Sequence, residues 1–163
     1  MASKNYIVQN GDVIDGRMAT VFVQYNGQNV PCAWFKELKA TMESSKSELP
    51  RLGTHSKFHK KSGWTGKGEG TMYVGSSIFK KMAQKYAQDQ SDTYFNMVIT
   101  NDDPTSKIGR QALLLLNCNF DNIDLATIDI GSDEPIEEEL NFTFDGFEFL
   151  EHFTHPNVQD ILI

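Results

Sequence analysis

Glycine and lysine surround a tryptophan in the stretch FHKKSGWTGKGEG, residues 58–70. Glycine-rich loops with a lysine bind phosphate when backbone amides and the ammonium converge on one anion. The nucleotide-binding P-loop needs four residues between its glycines, then Lys and a Ser or Thr, whereas two residues separate Gly63 from Gly66. The dinucleotide fingerprint also fails, because Gly66, Gly68 and Gly70 lead into a strand pattern and not into a helix. The segment is therefore not predicted to bind a nucleotide.

The histidines and acids give weak patterns for a metal or a reaction. His55 and His59 are four residues apart, a metal-binding spacing on a helix, but the nearby glycines argue against a helix. The acid-rich run 133–139 lacks the Asp, Gly and Glu spacing of an EF-hand. It does not define the cleft that paired carboxylates of a glycoside hydrolase need, and no nucleophile motif is present. We predict a protein that is not an enzyme and holds no cofactor or metal.

Lysines interleaved with Phe58 and Trp64 fit a loop that contacts phosphates and stacks on bases. The net charge of −7 argues against this function, because a dedicated nucleic-acid binder is usually basic over its domain. A monomeric β-domain that binds carbohydrate or nucleic acid through the basic and aromatic segment 54–68 stays open as an alternative.

Charge is divided unevenly along the chain. Residues 1–110 hold all fifteen Lys and Arg with ten acids, and residues 111–163 hold twelve acids and no Lys or Arg, so the two parts carry about +5 and −12. This asymmetry indicates either two differently solvated faces of a monomer or a surface that seeks a partner. A basic arm and an acidic surface on one chain favour head-to-tail association, which closes into rings or continues as filaments.

The basic arm is predicted over 51–70, where aromatic side chains would anchor an interface and basic ones would steer it. The candidate interface residues are Arg51, His55, Lys57, Phe58, Lys60, Lys61, Trp64 and Lys67.

The elements that must position these residues are mostly strands. The β-branched and aromatic run 18–25 followed by Asn26-Gly27 predicts a hairpin, with a return strand from about Val30. Alternation from Leu38, with Lys39, Thr41 and Glu43 on one side, continues that strand. Residues 50–70, which contain Pro50 and five glycines, predict a long glycine-rich loop.

One helix is predicted over 76–88, with Ile78, Phe79, Met82 and Tyr86 on an apolar face that covers a sheet and Ser76 or Ser77 as its cap. Further strands are predicted at 71–74, 94–100, 110–120, 125–130 and 138–149, the last with a β-bulge at Gly146. The fold class is mostly β (α+β), an antiparallel β-sandwich or barrel with one flanking α-helix. We expect a single domain over 1–163, no membrane anchor or signal peptide, and reduced, buried Cys32 and Cys118.

The order of these features resembles the tail-tube proteins of phage tails and phage-tail-like particles of the PBSX type. The matching stretches are GRMATVFV at 16–23, NG at 26–27, ESSK at 43–46, GTHSK at 53–57, the glycine-rich run 63–70, GTMY at 70–73, SIF at 77–79, YF at 94–95, GR at 109–110, LLNCNF at 115–120, EEEL at 137–140 and FTFDGF at 142–147. They cover about residues 11–150 and leave the tail 152–163 without a counterpart.

The resemblance implies a small β-sandwich or β-barrel subunit with a helix on the outside. Six subunits form a ring, and rings stack into a hollow tube with a continuous β-sheet lumen that guides DNA or pierces an envelope. The segment 51–70 corresponds to the family's long loop, which bridges neighbouring subunits and rings. The implied partners are further copies of the chain with sheath, baseplate and tape-measure proteins, and the implied location is the virion tail after assembly in the host cytoplasm.

Within such a tube, an acidic lumen would repel DNA on all sides and let it slide without specific binding, whereas a basic lumen would hold it. We therefore expect the lumen, or an acidic interface, to draw on Asp121, Asp124, Asp129, Asp133, Glu137, Glu138 and Glu139.

Overall fold

The computed structural model describes residues 14–32 and 34–153, and they form a mostly antiparallel β fold with one α-helix. This confirms the predicted fold class. A short 3-10 turn at Gly16–Met18 precedes eight strands and the helix: β1 (Ala19–Tyr25), β2 (Gln28–Pro31), β3 (Phe35–Leu49), β4 (Phe58–Tyr73), α1 (Ile78–Asp89), β5 (Phe95–Asp102), β6 (Arg110–Ile123), β7 (Glu137–Phe144) and β8 (Gly146–Glu151).

The chain divides into two compact units. Of the described residues, the first unit takes 14–32, 96–115 and 147–153, and the second takes 34–95 and 116–146. Strand β6 therefore contributes its first residues to one unit and its last residues to the other. No helix in the described ranges 14–32 and 34–153 is long and apolar enough to cross a membrane.

The first unit has the strand order β2-β1-β5-β6, and β8 also pairs with β6. Its β1–β2 hairpin turns at Asn26 and Gly27, whose φ angles are 50° and 74°. Tyr25 pairs directly with Gln28, so the turn has two residues and the hairpin prediction is confirmed. Cys32, which follows β2, is buried, and burial raises the pKa of its thiol to about 11.

The second unit has the strand order β6-β7-β4-β3, with α1 packed on one sheet face. The Phe79 ring of α1 lies with its centroid 6.3 Å from that of Phe35 on β3 and 5.2 Å from that of Phe120 on β6. Phe79 and Met82 are buried, as the helical pattern predicts, but Tyr86, predicted on the same apolar face, is exposed. The Ile78 N–H donates to Ser76 Oγ at 3.4 Å, so Ser76 acts at the helix start.

The glycine-rich segment differs from its prediction as a loop. Only residues 50–57 connect β3 to β4, and β4 runs without interruption from Phe58 through the glycines to Tyr73. Gly66, Gly68 and Gly70 are alternate strand residues with large rings against them, as described below. The predicted short strand at 71–74 is the end of this long strand.

Two later predictions are also corrected. The strand predicted over 125–130 is wrong, because residues 124–136 contain no strand. The predicted bulge at Gly146 is instead the point where β7 ends and β8 begins. Asp145 separates the two strands and its N–H donates to the Leu116 carbonyl of β6 at 3.1 Å.

Candidate functional site

The sheet of the second unit has an exposed face of polar side chains opposite α1, which we call the polar face. Its residues are adjacent across the strands: Lys39 on β3 pairs with Glu69 on β4, and Glu69 pairs with Asn141 on β7. The polar face consists of Glu37, Lys39, Thr41 and Glu43 on β3, Thr65, Lys67, Glu69 and Thr71 on β4, and Glu137, Glu139, Asn141 and Thr143 on β7. None of these twelve residues is buried.

The polar face carries more negative than positive charge. With Asp121, which lines a groove beside Lys39, Lys67 and Glu69, it has six acids (Glu37, Glu43, Glu69, Asp121, Glu137 and Glu139) and two bases, a net charge of −4. One of the acids is partly neutralised, because Lys36 Nζ lies 2.6 Å from Glu137 Oε1. That hydrogen bond raises the pKa of Lys36. The face is polar and moderately acidic, which suits contact with water and repels anions.

Glycines keep the opposite side of β4 free of side chains so that aromatic rings can cover it. A Cβ atom added at Gly68 would lie 2.1 Å from Phe142 Cζ, and one added at Gly66 would lie 2.4 Å from Phe144 Cε2. A Cβ atom added at Gly70 would lie 2.9 Å from Phe35 Cε1. Because real Cβ atoms do not approach this closely, the three positions require glycine for the buried face to pack, and the polar face stays regular above it.

A two-stranded ribbon, residues 44–65, projects beyond this sheet. β4 pairs with β7 only from Gly66 onward, whereas β3 and β4 continue to pair with each other out to Leu49 and Phe58. Every residue from 45 to 65 is exposed. An isolated two-stranded ribbon is only marginally stable in water, so this one is suited to bind another surface.

The ribbon has side-chain contacts at its base and near its tip. At the base, the Trp64 and Phe144 rings lie with centroids 6.3 Å apart. Near the tip, the Arg51 guanidinium lies 5.2 Å from the centroid of the Phe58 ring, and Lys57 Nζ lies 3.4 Å from Glu48 Oε2. Such exposed pairs contribute little stability, and they leave most of the basic groups available.

The segment that joins β6 to β7, residues 124–136, we call the acidic connection. It carries Asp124, Asp129, Asp133 and Glu134 and no base. Three aliphatic side chains on it face solvent: Leu125 is 66% exposed, Ile128 87% and Ile130 100%. Aliphatic side chains so fully exposed on one short segment are typical of a contact surface.

The structure divides the predicted site residues among these surfaces. Seven of the predicted interface residues lie in the ribbon: Arg51, His55, Lys57, Phe58, Lys60, Lys61 and Trp64. The eighth, Lys67, lies on the polar face. Of the predicted acids, Glu137 and Glu139 belong to the polar face and Asp121 lies in the groove beside it. Asp124, Asp129 and Asp133 belong to the acidic connection.

Glu138 is the exception among these acids. Its side chain is only 5% exposed on the α1 side of the sheet, where Glu138 Oε1 lies 2.5 Å from Lys80 Nζ. A buried and paired carboxylate cannot face a lumen, so the structure removes Glu138 from the candidate set. The sequence-based set also lacked Glu37, Lys39, Glu43 and Glu69, although the strand alternation from Leu38 is the signal that places Lys39 and Glu43 together.

The Lys80–Glu138 pair gives a stability prediction. Breaking a buried ion pair from one side leaves an uncompensated charge and costs about 3–5 kcal/mol. Because the Lys80 side chain is 25% exposed, we expect Lys80→Met to lower the free energy of unfolding by about 2 kcal/mol. Urea unfolding followed by circular dichroism would measure it.

The matched control is Lys36→Met, which breaks an exposed pair of similar length and should cost less than about 1 kcal/mol. Equal losses for the two variants would contradict a structural role for the buried pair.

The part of the chain that the structure describes contains no group of three or more His, Cys, Asp and Glu residues able to hold a metal ion. The candidate site consists of the three surfaces described above: a polar sheet face, a basic ribbon and an acidic, apolar connection.

Comparisons with known proteins give a consistent assignment. A family model described as "Phage tail tube protein" matches residues 7–151. The phage-like element PBSX protein XkdM of Bacillus subtilis (strain 168) is 33% identical over 137 residues, which cover 84% of this chain and 90% of that protein.

Solved structures share the fold at low sequence identity. A chain in the cap that terminates the tube of the anti-feeding prophage superposes with a TM-score of 0.68 at 13% identity, covering 93% of this chain and 100% of that one. The SPP1 tail tube protein superposes with a TM-score of 0.62 at 9% identity, covering 86% of this chain and 81% of that one.

Proposed function

The chain belongs to the phage tail tube protein family, and we propose that it forms six-membered rings that stack into the hollow inner tube of a phage tail or phage-tail-like particle. Its role is structural, and it catalyses no reaction. The tube is a conduit for DNA ejection or for puncture of an envelope. Its partners in the particle are sheath, baseplate and tape-measure proteins, and assembly takes place in the host cytoplasm.

The polar face is the observation that carries this proposal. A sheet with one face covered by α1 and the other exposed over three neighbouring strands, with no buried residue on that face, fits the wall of a water-filled bore. Its net negative charge repels DNA phosphates and so allows passage without specific binding. Within the described residues, β3 pairs only with β4, and this open strand edge is where a neighbouring subunit's sheet continues the wall.

The ribbon supplies the second contact that a tube needs. It extends past its own sheet, is exposed throughout, and is basic. A segment with these properties gains stability by lying on a neighbouring subunit, and it is placed where the family resemblance expects the bridge between subunits and rings.

Electron microscopy of the purified chain tests the proposal. We expect tubes or rings with sixfold symmetry at high protein concentration. In a shortened variant, Asn-Gly replaces residues 45–63 and closes the hairpin after the Ser44–Trp64 pair. We expect it to keep the circular dichroism spectrum of a β protein and to form no tubes.

The outcome that contradicts the proposal is a wild-type chain that stays a monodisperse monomer at high concentration and is unchanged by the shortening. Binding of an oligosaccharide or of single-stranded DNA by that monomer, lost in the shortened variant, would establish the alternative function of the segment 54–68.

A further inference from the structure

The ribbon and the acidic connection lie at opposite ends of one sheet. The pairing of β4 with β7 runs from Gly66 and Phe144 at one end to Tyr73 and Glu137 at the other. The ribbon leaves the sheet beyond Gly66, and the acidic connection enters β7 just before Glu137. When copies stack in the same orientation and along the direction of these strands, the ribbon end of one copy faces the connection end of the next.

The ribbon is also long enough for this reach. Residues 58–65 precede the pairing with β7 and residues 66–73 take part in it. At about 3.3 Å per residue, each of these two stretches of β4 spans roughly 26 Å. The ribbon thus projects about as far as the β4–β7 paired region is long.

The two surfaces have opposite and equal charge. The ribbon carries five bases (Lys46, Arg51, Lys57, Lys60 and Lys61) and one acid (Glu48), a net charge of +4. The acidic connection carries four acids and no base, a net charge of −4. Complementary charges of this kind steer and register two surfaces.

Both surfaces also expose aliphatic side chains. Leu52 at the ribbon tip is as exposed as a residue can be, and Ile128 and Ile130 on the acidic connection are nearly as exposed. Burial of such side chains against one another would give the contact its core, with the charges around it.

From the opposite placement, the reach and the complementarity, we propose that the ribbon tip of each subunit docks on the acidic connection 124–136 of a second copy in the adjacent ring. This inference rests on the proposed tube function and names the acceptor surface for the ribbon. The contact is heterologous, so it repeats without closing and orders the rings along the tube.

Charge reversal tests the contact. The ribbon variant is Lys60→Glu with Lys61→Glu, and the connection variant is Asp133→Lys with Glu134→Lys. Each variant brings the net charge of its surface to zero, and we expect each to raise the protein concentration needed for tube formation at least roughly tenfold in sedimentation and electron microscopy. In the combined variant the new glutamates of the ribbon face the new lysines of the connection, and we expect this local attraction to restore tubes. The matched control, Lys81→Glu with Lys85→Glu on α1, should assemble as the wild type does.

The results separate the two proposals. If the wild type forms tubes and both reversed variants form them at the same concentration, the docking is wrong while the tube function stands. If both reversals abolish tubes and the combined variant does not restore them, the pairing of these two surfaces is wrong. A wild type that forms no tubes overturns the proposed function itself.

A disulfide cross-link tests the same contact without reversing charge. In assembled Leu52→Cys/Ile130→Cys protein, oxidation should link successive copies into a ladder on a non-reducing gel. Either substitution alone should give no products beyond a dimer. Tubes of the double variant that yield no ladder would overturn the docking.

Discussion

Replacing Gly68 by alanine should destabilise the protein by about 3 kcal/mol, the upper end of the cost of overpacking a core. The added methyl group would lie 2.1 Å from Cζ of Phe142, a buried ring on β7. Gly68 and Phe142 are direct partners in the strand register, so neither can move away without loss of the β4–β7 pairing. We expect the loss in thermal or urea unfolding, together with the loss of tube formation.

The control for this prediction is Gly63→Ala on the same strand. A Cβ atom there meets nothing within 4 Å, and the backbone has no positive φ. That substitution should change the free energy of unfolding by no more than about 1 kcal/mol, in the stabilising direction, because alanine restricts the unfolded chain. Equal effects at the two positions would show that the rings move aside and that the glycine is not required.

A smaller side chain at position 142 should compensate for the methyl group added at position 68. In the background of Gly68→Ala, a smaller side chain at position 142, as in Phe142→Leu, should recover part of the lost stability. The same substitution in the wild-type background should cost stability because it leaves a cavity. If the stability losses of Gly68→Ala and Phe142→Leu simply added in the double variant, the clash between the two side chains would not be the cause of the destabilisation.

The glycines of β4 are a feature that the sequence did not predict correctly. A run with Gly66, Gly68 and Gly70 reads locally as a flexible loop, because glycine loses the most freedom on folding. What makes it a strand is a set of rings on β7 and β3, distant in sequence, that need room over the β4 backbone. Local signals do not contain that information.

The opposite error occurred at 125–130, where β-branched and aliphatic residues predicted a strand. Leu125, Ile128 and Ile130 have the composition of a buried strand but are exposed. Their exposure fits the contact between copies proposed above, which a single chain does not contain. By contrast, the Asn26-Gly27 hairpin and the helix were predictable because their signals are local: a turn of two residues and a 3.6-residue apolar period.

The sequence showed which kinds of residue form the candidate site, but only in part which face of the fold each residue lies on. Charge counting directed the prediction to one basic segment and one acidic segment, and fourteen of the fifteen predicted site residues lie in or beside the ribbon, the polar face or the acidic connection. Glu137, Glu138 and Glu139 are adjacent in sequence, yet only Glu138 is buried against α1, through its ion pair with Lys80. Successive residues of β7 point to opposite faces of the sheet. Which acids are exposed therefore depended on which residues of β7 face α1, and the acid-rich sequence alone does not show this.

Reversing the charge of the polar face should make the tube retain DNA. The variant Asp121→Lys/Glu69→Lys/Glu139→Lys changes the net charge of this face from −4 to +2, since three of the six acids become lysines. Cationic side chains that contact phosphates release counterions from DNA, and six to ten such contacts make the affinity fall about 10³–10⁵-fold between 50 and 200 mM salt. With the proposed six copies in each ring, a bore lined by this face would reach that number of contacts.

The measurement is the amount of short duplex DNA that assembled tubes protect from nuclease at 50 and at 200 mM salt. Wild-type tubes should protect almost none, and the variant should protect DNA at low salt and release it at high salt. A control that adds positive charge at exposed positions of α1, Gln84→Lys/Gln88→Lys, should bind DNA only where nuclease can reach it, because α1 covers the other side of the sheet from the polar face. Protection by the control, or equal protection by wild type and variant, would mean that the polar face does not line the bore.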